Sequence, residues 1–93
     1  MGDFDNKVKM IIEGLLLAAS RPLNLSEIAQ VFDENERPDK KELREIIKVI
    51  EADCFDRGFE LQEVASGYRF QVKQELSSWV GKLWDERPPR YTR

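Results

Sequence analysis

From Phe4 to Ser20 the apolar residues Phe4, Val8, Ile11, Ile12, Leu15, Ala18 and Ala19 fall on one broad face at about 100° per residue, the period of an amphipathic helix. Met10 and Leu17 project from nearly the opposite side, beside Gly14, where the surface of a monomer should be polar. This first helix therefore has a second apolar side. Either a second copy of the chain covers it or the domain's own termini do. Arg21-Pro22 ends the helix, because proline disfavours the helical conformation in the residue before it. Asn24 and Glu27 then have the spacing of a capping box and predict a second helix over about 25–32, burying Ile28, Ala29 and Phe32.

A polar connection, Asp33-Glu34-Asn35-Glu36-Arg37-Pro38, leads to a second box, Asp39 with Glu42. It opens a longer helix on which Leu43, Ile46, Ile47, Ile50 and Cys54 form one stripe, ended by Gly58. Phe59-Glu60-Leu61-Gln62-Glu63-Val64 and Tyr68-Arg69-Phe70-Gln71-Val72 read as a β-hairpin turned at Ser66-Gly67. The first strand loses its alternation at Glu63-Val64, which points to a bulge or an early turn. A last amphipathic helix over about 75–84 sets Leu76, Trp79, Val80 and Leu83 together, with Trp79 and Trp84 expected as core and near-core anchors. An exposed Trp84 would instead be a candidate partner contact. Helix, helix, helix, hairpin, helix is the order of an α+β helix-turn-helix core with a two-stranded wing and a C-terminal helix. Periodicity alone also allows other small α+β arrangements.

Ninety-three residues, 41% of them hydrophobic, suit one small domain, assigned to residues 1–86, with 87–93 as a Pro/Arg linker. The net charge is −3. Setting aside Arg87, Arg90 and Arg93 leaves 12 basic and 18 acidic side chains in residues 1–86, a net −6 that offers no general attraction for phosphate backbones or anionic lipid. One cysteine, Cys54, excludes an intramolecular disulfide, and the absence of histidine removes the usual mixed zinc cages. The apolar run Leu15-Leu16-Leu17-Ala18-Ala19 is far too short for a membrane span, and the charged first ten residues do not resemble a signal peptide. A soluble cytoplasmic setting is expected.

On the third helix, where a DNA-reading helix-turn-helix needs exposed cations, Lys40, Lys41, Arg44, Lys48 and Arg57 are interleaved with Asp39, Glu42, Glu45, Glu51, Asp53 and Asp56. Each cation has an acid at helical spacing, so the face reads as solvated and laced with ion pairs. The tail residues Arg87, Arg90 and Arg93, with Tyr91 among them, read either as a weak nucleic-acid arm or as a linker stiffened by Pro88-Pro89. Nothing assembles a catalytic site. There is no phosphate-binding glycine loop and no nucleophile elbow, Glu34 and Glu36 sit in a polar loop, and Cys54 lies on an apolar stripe. The residues point to a non-enzymatic binding domain without cofactor or metal; the alternative is a winged-helix transcription regulator that binds operator DNA.

The stretch Ile12-Glu13-Gly14-Leu15-Leu16-Leu17-Ala18-Ala19-Ser20-Arg21-Pro22-Leu23-Asn24-Leu25-Ser26-Glu27-Ile28 resembles the opening of the segregation and condensation protein B (ScpB) family. There a helix rich in Leu and Ala meets a Pro-Leu turn and a capped helix. Gly58-Phe59-Glu60-Leu61 and Gly67-Tyr68-Arg69-Phe70-Gln71 are similar to that family's hairpin, and Arg87-Pro88-Pro89-Arg90-Tyr91-Thr92-Arg93 is similar to its passage into a second winged helix. The resemblance implies a winged helix, the first of two. It also implies an adaptor that dimerises and binds the kleisin ScpA, and through ScpA an SMC complex of chromosome condensation and segregation in the bacterial cell cycle and cell division. It implies that the first domain dimerises while much of the kleisin contact involves the second. Met10, Gly14 and Leu17 are the candidate self-association residues.

Overall fold

Both capping boxes form. Asn24 Oδ1 accepts from the Glu27 amide at 2.8 Å while Glu27 Oε1 accepts from the Asn24 amide at 2.9 Å, and Asp39 and Glu42 exchange the same bonds at 2.8 and 3.0 Å. The computed structural model describes residues 6–84. They run α1 (Asn6–Ala18), α2 (Leu25–Ala29), α3 (Lys40–Asp53), β1 (Phe59–Val64), β2 (Gly67–Val72), a 3-10 turn (Gln74–Leu76) and α4 (Ser77–Trp84). Phe4, Pro88, Pro89, Tyr91 and the candidate arm Arg87, Arg90 and Arg93 lie outside the described residues.

α2 is shorter than its pattern predicts. Beyond Ala29 the amides of Val31 and Phe32 donate to the carbonyls of Ile28 and Ala29 at 3.2 and 3.1 Å, tightening the chain into three-residue turns. Arg37 then reaches back and donates to the carbonyls of Ala29 at 2.9 Å and Phe32 at 3.0 Å. One cation of the polar connection thereby gives the Ala29 carbonyl a second donor and supplies one to the Phe32 carbonyl just past the helix end.

The core joins Ile12 and Leu16 of α1, Ile28 and Phe32, Leu61 of β1, and the whole predicted α3 stripe of Leu43, Ile46, Ile47, Ile50 and Cys54. Each fully buried aliphatic side chain contributes about 1.5–3 kcal/mol. On α1 the pattern omits Leu16, which is buried, and includes Ala18, which is exposed. Both α3 and β2 pack on α1, and together they centre its buried stripe on Ile12 and Leu16.

β1 and β2 pair antiparallel without interruption from Phe59 opposite Val72 to Val64 opposite Gly67. There is no bulge at Glu63-Val64, and the turn is Ala65-Ser66, one residue earlier than its composition suggests. The reason is Leu23, which forms an antiparallel bridge with Tyr68 through bonds of 2.9 and 2.8 Å. That backbone crosses the space a side chain at residue 67 would fill, and Gly67, at φ +142°, starts the strand there.

The largest departure is α4, which buries no residue: Trp79 is 66% exposed and Trp84 71%. Neither is the anchor that the pattern predicts. Leu76 lies over Gly58 and is half-buried, and α4 packs chiefly on the 3-10 turn that precedes it. No residue of α4 reaches the interior that Ile50, Cys54 and Leu61 line. The molecule is elongated, 61 × 24 × 24 Å, and its architecture is α+β, a winged helix with a projecting C-terminal helix.

Candidate interaction surface

α1 carries its second apolar side into solvent. Met10 is exposed, Leu17 is 73% exposed, and a Cβ built at Gly14 would meet nothing within 4 Å. The described residues therefore leave the candidate self-association trio uncovered. Met10, Gly14 and Leu17 share one face because seven residues make nearly two helical turns.

Beside Leu17 the surface dips into a hollow of about 540 Å³ between α1, the end of α3 and the hairpin. Leu17, Ile50, Cys54, Phe59 and Phe70 form its apolar wall, with Phe59 and Phe70 edge to face, their ring centroids 5.3 Å apart. Lys9, Glu13, Asp53 and Arg57 form the rim. Lys9 pairs with Asp53 across the α1–α3 joint and lies 4.0 Å from Glu13. The hydrogen bond to Asp53 raises the Lys9 pKa above its ordinary value despite partial burial, holding the rim charge in place. The sequence pattern points to Leu17 but not to this hollow. The signal available is the in-phase set Phe59, Leu61, Phe70 and Val72, which has more apolar surface than α1 and α3 can cover.

A second apolar surface lies on α4, where Trp79, Val80, Leu83 and Trp84 fall within about 140° at the helical period. Trp84 is the exposed candidate contact that the sequence allows. It shares α4 with Trp79 rather than the α1 face.

The α3 surface differs from the ion-paired lattice its spacing predicts. Lys40, Lys41, Arg44 and Lys48 make no ion pair among the described residues. Glu42 is committed to the cap and Asp53 to Lys9, while Lys40, Arg44 and Lys48 stand four residues apart and present like charges to one another. They border grooves shared with Glu51, Glu63 and Tyr68. Burial raises the Tyr68 pKa, and the Glu63 charge adds to the shift.

Cys54 is 3% exposed, and burial pushes its thiol upward, away from the thiolate a nucleophile requires. Among the described residues no group of three or more His, Cys, Asp or Glu is placed to hold a metal ion, and no helix is long and apolar enough to cross a membrane. The arrangement offers surfaces for binding.

Proteins similar in sequence and in fold are known. The family described as segregation and condensation complex subunit ScpB matches residues 10–93. A segregation and condensation protein B homolog of Coxiella burnetii (strain RSA 493 / Nine Mile phase I) is 40% identical over 85 residues, 91% of this chain and 41% of that protein. Segregation and condensation protein B of Syntrophotalea carbinolica (strain DSM 2380 / NBRC 103641 / GraBd1) is 34% identical over 94% of this chain and 43% of its own length. The chain thus spans about two-fifths of these curated relatives. Among solved structures, ScpB from Mycobacterium tuberculosis has the same fold, with a TM-score of 0.76 at 22% identity over 99% of this chain and 57% of that one. A dimer of an ScpB N-terminal domain complexed with an ScpA peptide is similar at a TM-score of 0.71 and 31% identity, over 84% of this chain and 95% of that one. In that protein the first domain by itself engages an ScpA peptide, where the resemblance assigns much of the kleisin contact to a second domain.

Proposed function

This chain belongs to the segregation and condensation protein B family, and from that premise we propose that it is the first winged helix of a non-enzymatic adaptor that self-associates and binds the kleisin ScpA. Through ScpA it joins an SMC complex that condenses and segregates the chromosome, in the cytoplasm at the nucleoid. On this reading residues 1–86 form the winged-helix domain and 87–93 the linker toward a second one, for which the unmatched remainder of the curated relatives leaves room. The observation that carries the reading is the likeness to the N-terminal-domain dimer that holds an ScpA peptide, over nearly all of that chain.

Self-association uses the α1 face of Met10, Gly14 and Leu17, because large apolar side chains left in water on a helix already packed on its other side mark an interface. A two-fold axis would bury the same patch on both chains. Sedimentation velocity of this chain, alone and with the central segment of the cognate ScpA, tests the reading. A dimer that takes up the segment supports it in full, a dimer that ignores it assigns this domain to self-association only, and a monomer that binds nothing overturns it.

The unpaired row Lys40, Arg44 and Lys48 supports a second reading, a winged-helix regulator that contacts DNA phosphates. Glu51 and Glu63 in the same grooves oppose it, as does a two-residue wing turn. Duplex binding at low salt that weakens as salt returns would favour that reading, and no binding at low salt would remove it.

A further inference from the structure

The described residues of α4 bury no side chain. Its chief packing partner is a single 3-10 turn. Trp79, Leu83 and Trp84 nevertheless line up on one face, an arrangement that serves no purpose in solvent. The same chain has an aromatic-walled hollow that its own α4 leaves open, built from Leu17, Phe59 and Phe70.

Resting on the self-association reading, we infer that α4 of one chain docks its Trp79–Trp84 face into the Leu17–Phe59–Phe70 hollow of a second copy, and that the second copy returns the contact. Two different surfaces are each used twice about one two-fold axis, which closes the assembly. The area suffices. Met10 and Leu17 of the α1 face, Phe59 of the hollow, and Trp79, Leu83 and Trp84 of α4 are all large and exposed. At roughly 100–150 Å² each they supply roughly 600–900 Å² per chain, against about 800 Å² per partner in a standard interface. The hollow, about 540 Å³, has the aliphatic, thiol and aromatic lining of Leu17, Ile50, Cys54, Phe59 and Phe70 that an indole ring packs against.

The two tryptophans of the chain are both on α4, so tryptophan emission, excited beyond the tyrosine band, reports this helix. The experiment follows sedimentation velocity and tryptophan emission over one dilution series for the whole chain, for Trp79→Ser and Trp84→Ser, and for Leu17→Glu. These side chains are exposed, so circular dichroism should register folded variants. The expected result is emission that shifts from blue to solvent-like as the dimer dissociates, and dimerisation weakened roughly 30-fold or more by either the tryptophan or the leucine change. Mixing Leu17→Glu with Trp79→Ser should then recover part of the association, since at one of the two contacts the intact α4 of the first chain meets the intact hollow of the second, while the other contact carries both changes. A dimer with solvent-like emission that tolerates both tryptophan variants overturns the α4 contact and leaves self-association standing. Variants that stay monomeric when mixed overturn the reciprocal exchange. A wild-type monomer at every concentration overturns both this contact and the self-association on which it rests.

Discussion

Gly67→Ala tests the joint between the wing and the helical core. Gly67 is at φ +142°, and an added Cβ would overlap the carbonyl carbon and oxygen of Leu23 and come to 2.7 Å from the Asn24 amide nitrogen. These are backbone atoms, so no side chain can swing aside. If residue 67 keeps its conformation the Leu23–Tyr68 bridge must open, so the strain and the lost bonds add. The backbone strain of such a position costs about 1–3 kcal/mol. The two bridge bonds, 2.9 and 2.8 Å in the native fold, contribute about 0.5–1.5 kcal/mol each. The expected loss is about 2–6 kcal/mol, much of the roughly 5–15 kcal/mol that stabilises a typical domain. Urea unfolding should be followed by far-UV circular dichroism, because both tryptophans lie on α4, outside the core. Gly81→Ala is the control, since its Cβ would meet nothing within 4 Å. A Gly67→Ala protein less than about 0.5 kcal/mol weaker than wild type, with the Tyr68 amide still protected from exchange, would refute the reasoning.

Four other outcomes are expected. Gly14→Ala should raise the unfolding free energy by about 0.5–1 kcal/mol through helix propensity while weakening self-association, two changes read by dilute urea unfolding and by sedimentation velocity. Ile46→Ala, at a fully buried position, should cost about 2–5 kcal/mol in the same unfolding assay. Arg37→Gln removes two charge-assisted bonds to the carbonyls of Ala29 and Phe32 and should cost about 1–3 kcal/mol, with faster exchange in residues 29–39. Glu27, whose carboxyl is held below the ordinary 4.5 first by the Asn24 amide and then by Arg21, contributes stability that is present above that value and lost as pH falls through the lower folded-state pKa. Glu27→Gln should therefore lose less stability than wild type between pH 4.5 and the acid limit, measured by unfolding at stepped pH.

The pattern of residues determined whatever depends on neighbours a few positions away. Asn24 with Glu27 and Asp39 with Glu42 start helices because the bonds of a capping box close within three residues. The α3 stripe is buried as written, since a strongly amphipathic helix has one way to face a core. That Met10 and Leu17 lie on a second side of α1, away from the core stripe, was legible for the same reason. Tertiary structure decided the rest. The turn at Ala65-Ser66 and the need for glycine at 67 follow from Leu23, more than forty residues away in sequence, whose backbone occupies that space. The bare cations of α3 follow from Glu42 serving a cap and Asp53 serving Lys9. The hollow at Leu17 exists only where three separate elements meet. Periodicity shows that α4 has an apolar face but not what that face touches, because burial depends on where every other element sits, and the chain packs α4 on its 3-10 turn rather than on the core.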